Sequence, residues 1–386
     1  MLQAIVNARI VLEDRVLESG VVLHDAKIRG VYETRENNLP EGIPLYDAQG
    51  AFVLPGMIDI HTHGAVGRDV MDGDVQGIRE ISSFLASRGV TSFCPTTMTM
   101  PLKAIEKAIE KVRQCRKEGP PGASILGIHL EGPFISSRYK GAQNSRDIQD
   151  PMAEWVLERK EDIRIVTYAS EKDPQGEFCS ALAKEGIRLS LGHTGASYED
   201  VFRAQEYGAL SASHLFNGMP PIHHRDPGVV GGVLKSSLYA ELIADGVHVH
   251  PAFFDLVIRM KSPQKVILIS DSMRAAGLKE GEYDFGGQKV RVSRGEARLA
   301  DGTLAGSVLT LDKAFRNVFY QGGVSLPQMA RLTATNAADM LGLFHKGRIA
   351  KGADADLLFL DGALEVQRTL VEGREVFLRK GGKRES

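Results

Sequence analysis

The chain has 386 residues, of which 43% are apolar and 25% charged, and its net charge is −2. That length exceeds most single small domains and fits one barrel of about 250 residues plus an accessory domain. No basic stripe points to nucleic acid, no charge block to a disordered tail, and no run of 18 apolar residues to a membrane span.

The opening MLQAIVNARIVLEDRVLESG has no basic segment followed by a long apolar run, so no secretory signal is expected. Cys94, Cys115 and Cys179 form no C-x-x-C pair and read as reduced, mostly buried thiols of a cytoplasmic protein. The segments AIVNARIVL and VVLHDAKIRGVY near the start, and GRIAKGADADLLFLD and VQRTLVEGREVFLRK near the end, share one texture. They are short β-branched runs broken by Gly, Asp and Asn. They predict an antiparallel sheet built from both chain ends, a small β-sandwich domain over residues 1–54 plus 345–386.

Between these ends, residues 55–344 alternate apolar strands with helical periods, the pattern of parallel βα units. The predicted strands are 57–64, 90–97, 124–132, 163–170, 187–194, 209–216, 240–246 and 265–272. Stretches such as GIREISSFLASRG, PLKAIEKAIEKVRQCRKEG and YEDVFRAQEYG separate them. Eight parallel strands with intervening helices predict a closed (β/α)8 TIM-like barrel.

Six of these strands end in ionisable residues: His61 and His63, then Glu131, His193, His214, Asp245 and Asp271. In a barrel the strand C-termini form the rim where catalysis takes place. Buried ionisable groups are costly unless paired or bound to metal. In His61-Thr62-His63 the two imidazoles lie two apart on a strand and leave it on one face. The candidate ligands are His61, His63, Glu131, His193, His214 and Asp271. Four imidazoles and two carboxylates suit one or two divalent Zn or Fe ions, whereas Mg and Ca prefer all-oxygen shells. Two ions would lie about 3.5–4 Å apart, with Glu131 as their bridge and Asp271 as general base and then acid.

PGMIDIHTHG, HLEGPF (129–134), GHT (192–194), HLFNGM (214–219), ADGVH (244–248), DSM (271–273), LAGS (304–307) and GRIAKGADADL (347–357) resemble the amidohydrolase superfamily. Within it they are similar to the N-acetylglucosamine-6-phosphate deacetylase family. The matched motifs run in order from about residue 50 to 360. The resemblance implies deacetylation of N-acetylglucosamine 6-phosphate to glucosamine 6-phosphate and acetate, a step of amino-sugar catabolism and cell-wall sugar recycling. It places metal ligands on Glu131, His193 and His214 and the catalytic aspartate on Asp271. Because His61 and His63 are present, the chain resembles the subgroup with two metals. Where the family commonly has K-G-A-H, this chain has Lys140-Gly141-Ala142-Gln143, and Gln143 cannot shuttle a proton. HLFNGM replaces the commoner HLFNAM, a change read here as the removal of one methyl.

A sugar phosphate needs a site for a dianion. Asn217 and Gly218 offer backbone N–H groups, Arg225 a planar cation, and His223 and His224 partial charge. Pro227-Gly228 is expected to open a helix capped by Asp226. The resemblance puts Asn217, Gly218 and Arg225 in substrate binding and His248 beside the sugar. It also has the arginine reach the neighbouring subunit's site in a homodimer. Ala142, Leu304, Ala305 and Gly306 match the family's acetyl and sugar contacts. Asp245 either orients His248 or caps a strand. A cyclic-amide hydrolase or deaminase on the same barrel is the alternative. Such relatives often carry a carboxylated lysine on the fourth strand, and IRIVTYAS has none. A non-catalytic scaffold would be expected to lack ligands, and none is missing.

Overall fold

The computed structural model describes residues 1–33 and 39–380. The parts of the expected terminal domain at 34–38 and 381–386 lie outside the described residues.

The two chain ends meet in one eight-stranded sheet. Its order is Arg374–Leu378, Val366–Val371, Leu357–Leu360, Phe52–Pro55, Gln3–Val11, Val16–His24 and Ile28–Tyr32, with Leu45–Asp47 also on Gln3–Val11. The sheet is mixed, where an antiparallel one was expected. Leu45–Asp47 runs parallel to Gln3–Val11 opposite Ala4–Val6, and Phe52–Pro55 continues along the same strand in the same direction opposite Arg9 and Ile10. Ile5, Ile10, Val22, Ile28, Val53, Phe359 and Leu370 make a core of their own.

Gly56 joins this sheet to the barrel. A Cβ there would lie 2.1 Å from Thr91 Cγ2, so only glycine lets the two strands pass so closely. The barrel strands are β1 Met57–Thr62, β2 Val90–Pro95, β3 Ile128–Glu131, β4 Ile163–Tyr168, β5 Arg188–Leu191, β6 Ala209–Ala212, β7 Tyr239–Ile243 and β8 Val266–Ile269. β3 to β8 form one parallel sheet in chain order, and β1 and β2 pair in a second. Parallel bridges from Thr96 to His129 and from Thr62 to Ser272 join the two arcs into a ring. The predicted third strand is split: Ser124–Ile125 pairs with β2 before β3 begins.

The helices between strands bury one stripe each. In Val75–Ser87 that stripe is Ile78, Ile81 and Leu85, and in Leu102–Glu118 it is Ile105, Ile109 and Val112, the spacing of one helical face. Asp74 caps the first helix by accepting from the N–H groups of Gln76 and Gly77. After β8 the chain inserts a three-stranded antiparallel sheet, Gly281–Phe285, Gln288–Ser293 and Glu296–Arg298. Its apolar face packs Phe285, Val290 and Val292 with Met98 and Met273, so it sits over the barrel mouth. No described helix is long and apolar enough to cross a membrane.

Candidate active site

His61, His63, Glu131, His193, His214 and Asp271 converge at the C-terminal mouth of the barrel, each at most 8% exposed. Glu131 is the hub. Its Oε1 lies 3.1 Å from His61 Nε2, 3.3 Å from His193 Nε2 and 2.9 Å from His214 Nε2. Its Oε2 lies 3.4 Å from His63 Nε2. Asp271 Oδ1 is 3.2 Å from His63 Nε2 and 3.7 Å from His61 Nε2.

Local backbone geometry aims these groups. His193, His214 and Asp271 lie two residues past the ends of β5, β6 and β8 with positive φ of 47°, 32° and 47°. A left-handed turn at a side-chain-bearing residue costs on the order of 1–3 kcal/mol, and such strain collects at functional sites. The far ring nitrogens are also anchored. His193 Nδ1–H donates to the Tyr139 carbonyl at 3.0 Å and His214 Nδ1–H to the Asn217 carbonyl at 3.0 Å. His61 Nδ1–H donates to Glu241 Oε2 at 2.9 Å. With Nδ1 occupied as donor, the neutral form of each ring carries its lone pair on Nε2, facing the centre of the site.

Gln143 replaces the family's histidine with a structural link. Its Nε2 donates to Glu131 Oε2 at 2.7 Å, and its Oε1 accepts the Thr99 N–H at 2.7 Å. Gly218 does more than lack a methyl. Its φ is +62°, and a Cβ there would lie 2.9 Å from His193 Nδ1. A methyl here would meet the candidate ligand ring unless the loop shifts.

The electrostatics follow from burial and charge. Burial pulls His61 and His63 toward the neutral form. The carboxylates outweigh it: Glu131, Asp271 and Glu241 hold His61 well above 6.5, and Asp271 and Glu131 bring His63 up to about 9. Burial would raise Glu131 and Asp271, yet the neighbouring imidazoles keep both below the ordinary carboxylate range. His61 Nε2 is buried without a hydrogen-bond partner. Imidazole nitrogens and carboxylate oxygens facing one point, without thiolates, form a donor set that fits a Zn or Fe ion.

A cavity of about 310 Å3 opens on these groups, and Ala142, Asn217, Gly218, His248, Leu304 and Gly306 line it. Ala305 is fully buried and does not line it. Asp245 serves both roles considered for it. Oδ2 accepts from His248 Nδ1 at 2.7 Å, and Oδ1 accepts the N–H groups of Val247 and His248 at 2.8 Å each. Arg225 is not brought into this cavity. It is exposed, and its Nη1 lies 2.9 Å from His224 Nε2. The helix Gly228–Lys235 has Pro227 at its N-cap and no side-chain cap, so Asp226 does not cap it as expected. A proline at that position already fixes φ near the helical value.

The sequence reading missed Phe285 and Arg298, which the inserted sheet brings to the cavity wall. Phe285 meets the His63 ring edge-on at 5.3 Å. The alternation in VRVSRGEARL was the available signal for that sheet. His129 was also missed. It touches the His61 ring, but its nitrogens are committed to the Ile60 carbonyl and Thr167 Oγ1, so it offers no ligand atom.

Residues 52–376 match the amidohydrolase family. N-acetylglucosamine-6-phosphate deacetylase of Bacillus subtilis (strain 168) is 40% identical over 381 residues, covering 96% of each chain. The crystal structure of N-acetylglucosamine-6-phosphate deacetylase from Pasteurella multocida superposes with a TM-score of 0.92 at 30% identity, covering 97% of this chain and 99% of that one. An Asp-to-Ala mutant of the Mycobacterium smegmatis deacetylase, in complex with N-acetyl-D-glucosamine-6-phosphate, superposes with a TM-score of 0.90 at 28% identity and 97% and 99% coverage. The chain belongs to the amidohydrolase family, alongside relatives named N-acetylglucosamine-6-phosphate deacetylases.

Proposed function

We propose that this chain is a metal-dependent hydrolase that removes the acetyl group of N-acetylglucosamine 6-phosphate, giving glucosamine 6-phosphate and acetate in amino-sugar metabolism. The observation that carries this reading is the Glu131 carboxylate, within 3.4 Å of four imidazoles, in the same cavity as Asp271. A bound divalent ion supplies Lewis acidity, which polarises an amide carbonyl and makes water acidic near neutral pH.

The remaining work falls to the chain's own groups. Asp271, kept ionised by His61 and His63, accepts the proton of the attacking water at its carboxylate. It returns that proton to the amide nitrogen as the C–N bond breaks, so acetate and a free amine leave. The Asp245–His248 pair presents an imidazole to the sugar. The backbone at Leu304 and Gly306 and the small side chain of Ala142 let the substrate approach closely. Six convergent polar side chains argue against a non-catalytic scaffold, and β4 carries no lysine for the cyclic-amide hydrolase alternative.

The finer reading is two ions per chain, Zn or Fe: His61, His63 and Asp271 would hold one, His193 and His214 would hold the other, and Glu131 would serve both. His61, His63 and Asp271 bring three donor atoms within 4.8 Å of one another, which supports the first, and Glu131 Oε1 lies 3.3 Å from His193 Nε2 and 2.9 Å from His214 Nε2, which supports the second. We also propose a homodimer in which the exposed Arg225 serves the neighbouring site, and a division into a composite end domain, 1–54 plus 345–386, and a barrel domain, 55–344. Three free, buried cysteines support a reducing, cytoplasmic setting. The test is acetate release from N-acetylglucosamine, N-acetylgalactosamine and N-acetylmannosamine 6-phosphates and their unphosphorylated counterparts. No release from any 6-phosphate, with metal supplied, would defeat the reading.

A further inference from the structure

Glu241 takes part in none of the steps above, yet, like Asp59 on β1, it is a carboxylate at 0% exposure beside the site, in the middle of β7. Its Oε2 accepts the His61 Nδ1–H at 2.9 Å and the backbone N–H of His214 at 3.3 Å. One oxygen thus touches a candidate ligand from each half of the metal centre. Its Oε1 has no hydrogen-bond partner. A half-satisfied buried carboxylate weakens a fold, so stability does not account for it.

The four imidazoles are not supported alike. His193 and His214 lean on neutral backbone carbonyls, and His63 Nδ1 has no partner. His61 alone among the four leans on a carboxylate. An anionic acceptor on the far nitrogen fixes the ring and makes its near nitrogen a stronger donor to a cation. His129, packed against the His61 ring, does not compete for Glu241, because both its nitrogens are committed elsewhere.

We propose that Glu241 is a positioning residue that sets His61 as the strongest ligand of the β1 half of the centre and holds that half in register with His214. The proposal rests on the two-ion reading above.

The test is a Zn titration of chelator-treated protein followed by calorimetry and metal counting, on wild type, Glu241→Gln, His61→Ala and the double variant. Glu241→Gln keeps the size and an acceptor but removes the charge. It should weaken the ion that depends on His61 by about 10- to 100-fold, the usual effect of losing such support. The other ion should bind as before. The metal-free variant should keep a cooperative melting transition and lose no more than its ionic contact with the protonated His61. In the His61→Ala background, Glu241→Gln should cost nothing more. Glu241→Asp, which keeps the charge one methylene further back, should show a smaller loss and serves if the glutamine variant does not fold. Two ions in wild type with unchanged affinity in Glu241→Gln would overturn this proposal alone. One ion in wild type, indifferent to His61→Ala, would overturn the two-ion reading and this proposal with it. Failure of both Glu241 variants to fold would also overturn it, since that marks a structural residue.

Discussion

Metal loading should displace protons from this centre. In the metal-free protein, His63 sits at about 9, and His61 is held well above 6.5 against its burial. Burial lowers His214 too, but its bond to Glu131 raises it on balance. A group at about 9 is roughly 97% protonated at pH 7.5. His63 therefore brings nearly one proton to the titration, and the raised His61 and His214 add to it. Glu131 and Asp271 are depressed and bring none. A divalent ion needs neutral imidazoles, so these protons must leave. More than one proton should be released per chain when both halves fill at pH 7.5. Calorimetric titration with Zn in buffers of different ionisation enthalpy reads that number directly.

The sign for stability follows. These imidazoles have pKa values raised above the unfolded value, so their contribution is complete below about pH 6.5. It is lost as pH rises through about 9. For His63 the shift corresponds to an order of 3 kcal/mol. The metal-free melting temperature should fall across that window, and that of the loaded protein should not follow it. Release of less than one proton, or a metal-free melting temperature that climbs from pH 6.5 to 9, would refute the reasoning.

Other substitutions probe single contacts. Asp271→Asn is nearly isosteric but cannot take a proton at neutral pH, so kcat should fall at least about 100-fold with the fold intact; a variant keeping a tenth of the activity removes Asp271 from the proton transfers. Gly218→Ala places a methyl 2.9 Å from His193 Nδ1 at a φ of +62°. Because the family commonly has alanine here, the loop should give by a few tenths of an ångström: melting should fall by no more than the cost of about 1–3 kcal/mol for a positive φ, with activity largely kept; loss of activity would show that this chain's His193 loop cannot give. Arg225→Ala should raise KM for the 6-phosphate about 10- to 100-fold, the scale of a lost charge-assisted hydrogen bond, and leave unphosphorylated substrate unaffected. If the arginine serves its neighbour, mixing Arg225→Ala with Asp271→Asn chains should restore activity, and demonstrated heterodimers without gain would deny it.

The strand pattern and its polar ends were legible in the sequence because they are local. A buried parallel strand reads as an apolar run, and a charge at its end has no structural use, so His61, Glu131, His193, His214 and Asp271 stood out before any coordinates. The texture shared by the two chain ends was legible for the same reason. Pairing direction was not: whether Phe52–Pro55 runs with or against Gln3–Val11 depends on how the intervening chain returns, which periodicity does not encode. Glu241 left a signal, a charge within the run AELI, but a mid-strand glutamate gains meaning only when β1 closes against β8 and sets His61 across from it, 180 positions away in the chain. The positive φ of His193, His214 and Asp271, the collision that a methyl at Gly218 would cause, and the distance of Arg225 from its own cavity are likewise products of closure. A sequence carries residue type and period, whereas contacts between distant segments exist only once the ring of strands is complete and its loops compete for the same mouth.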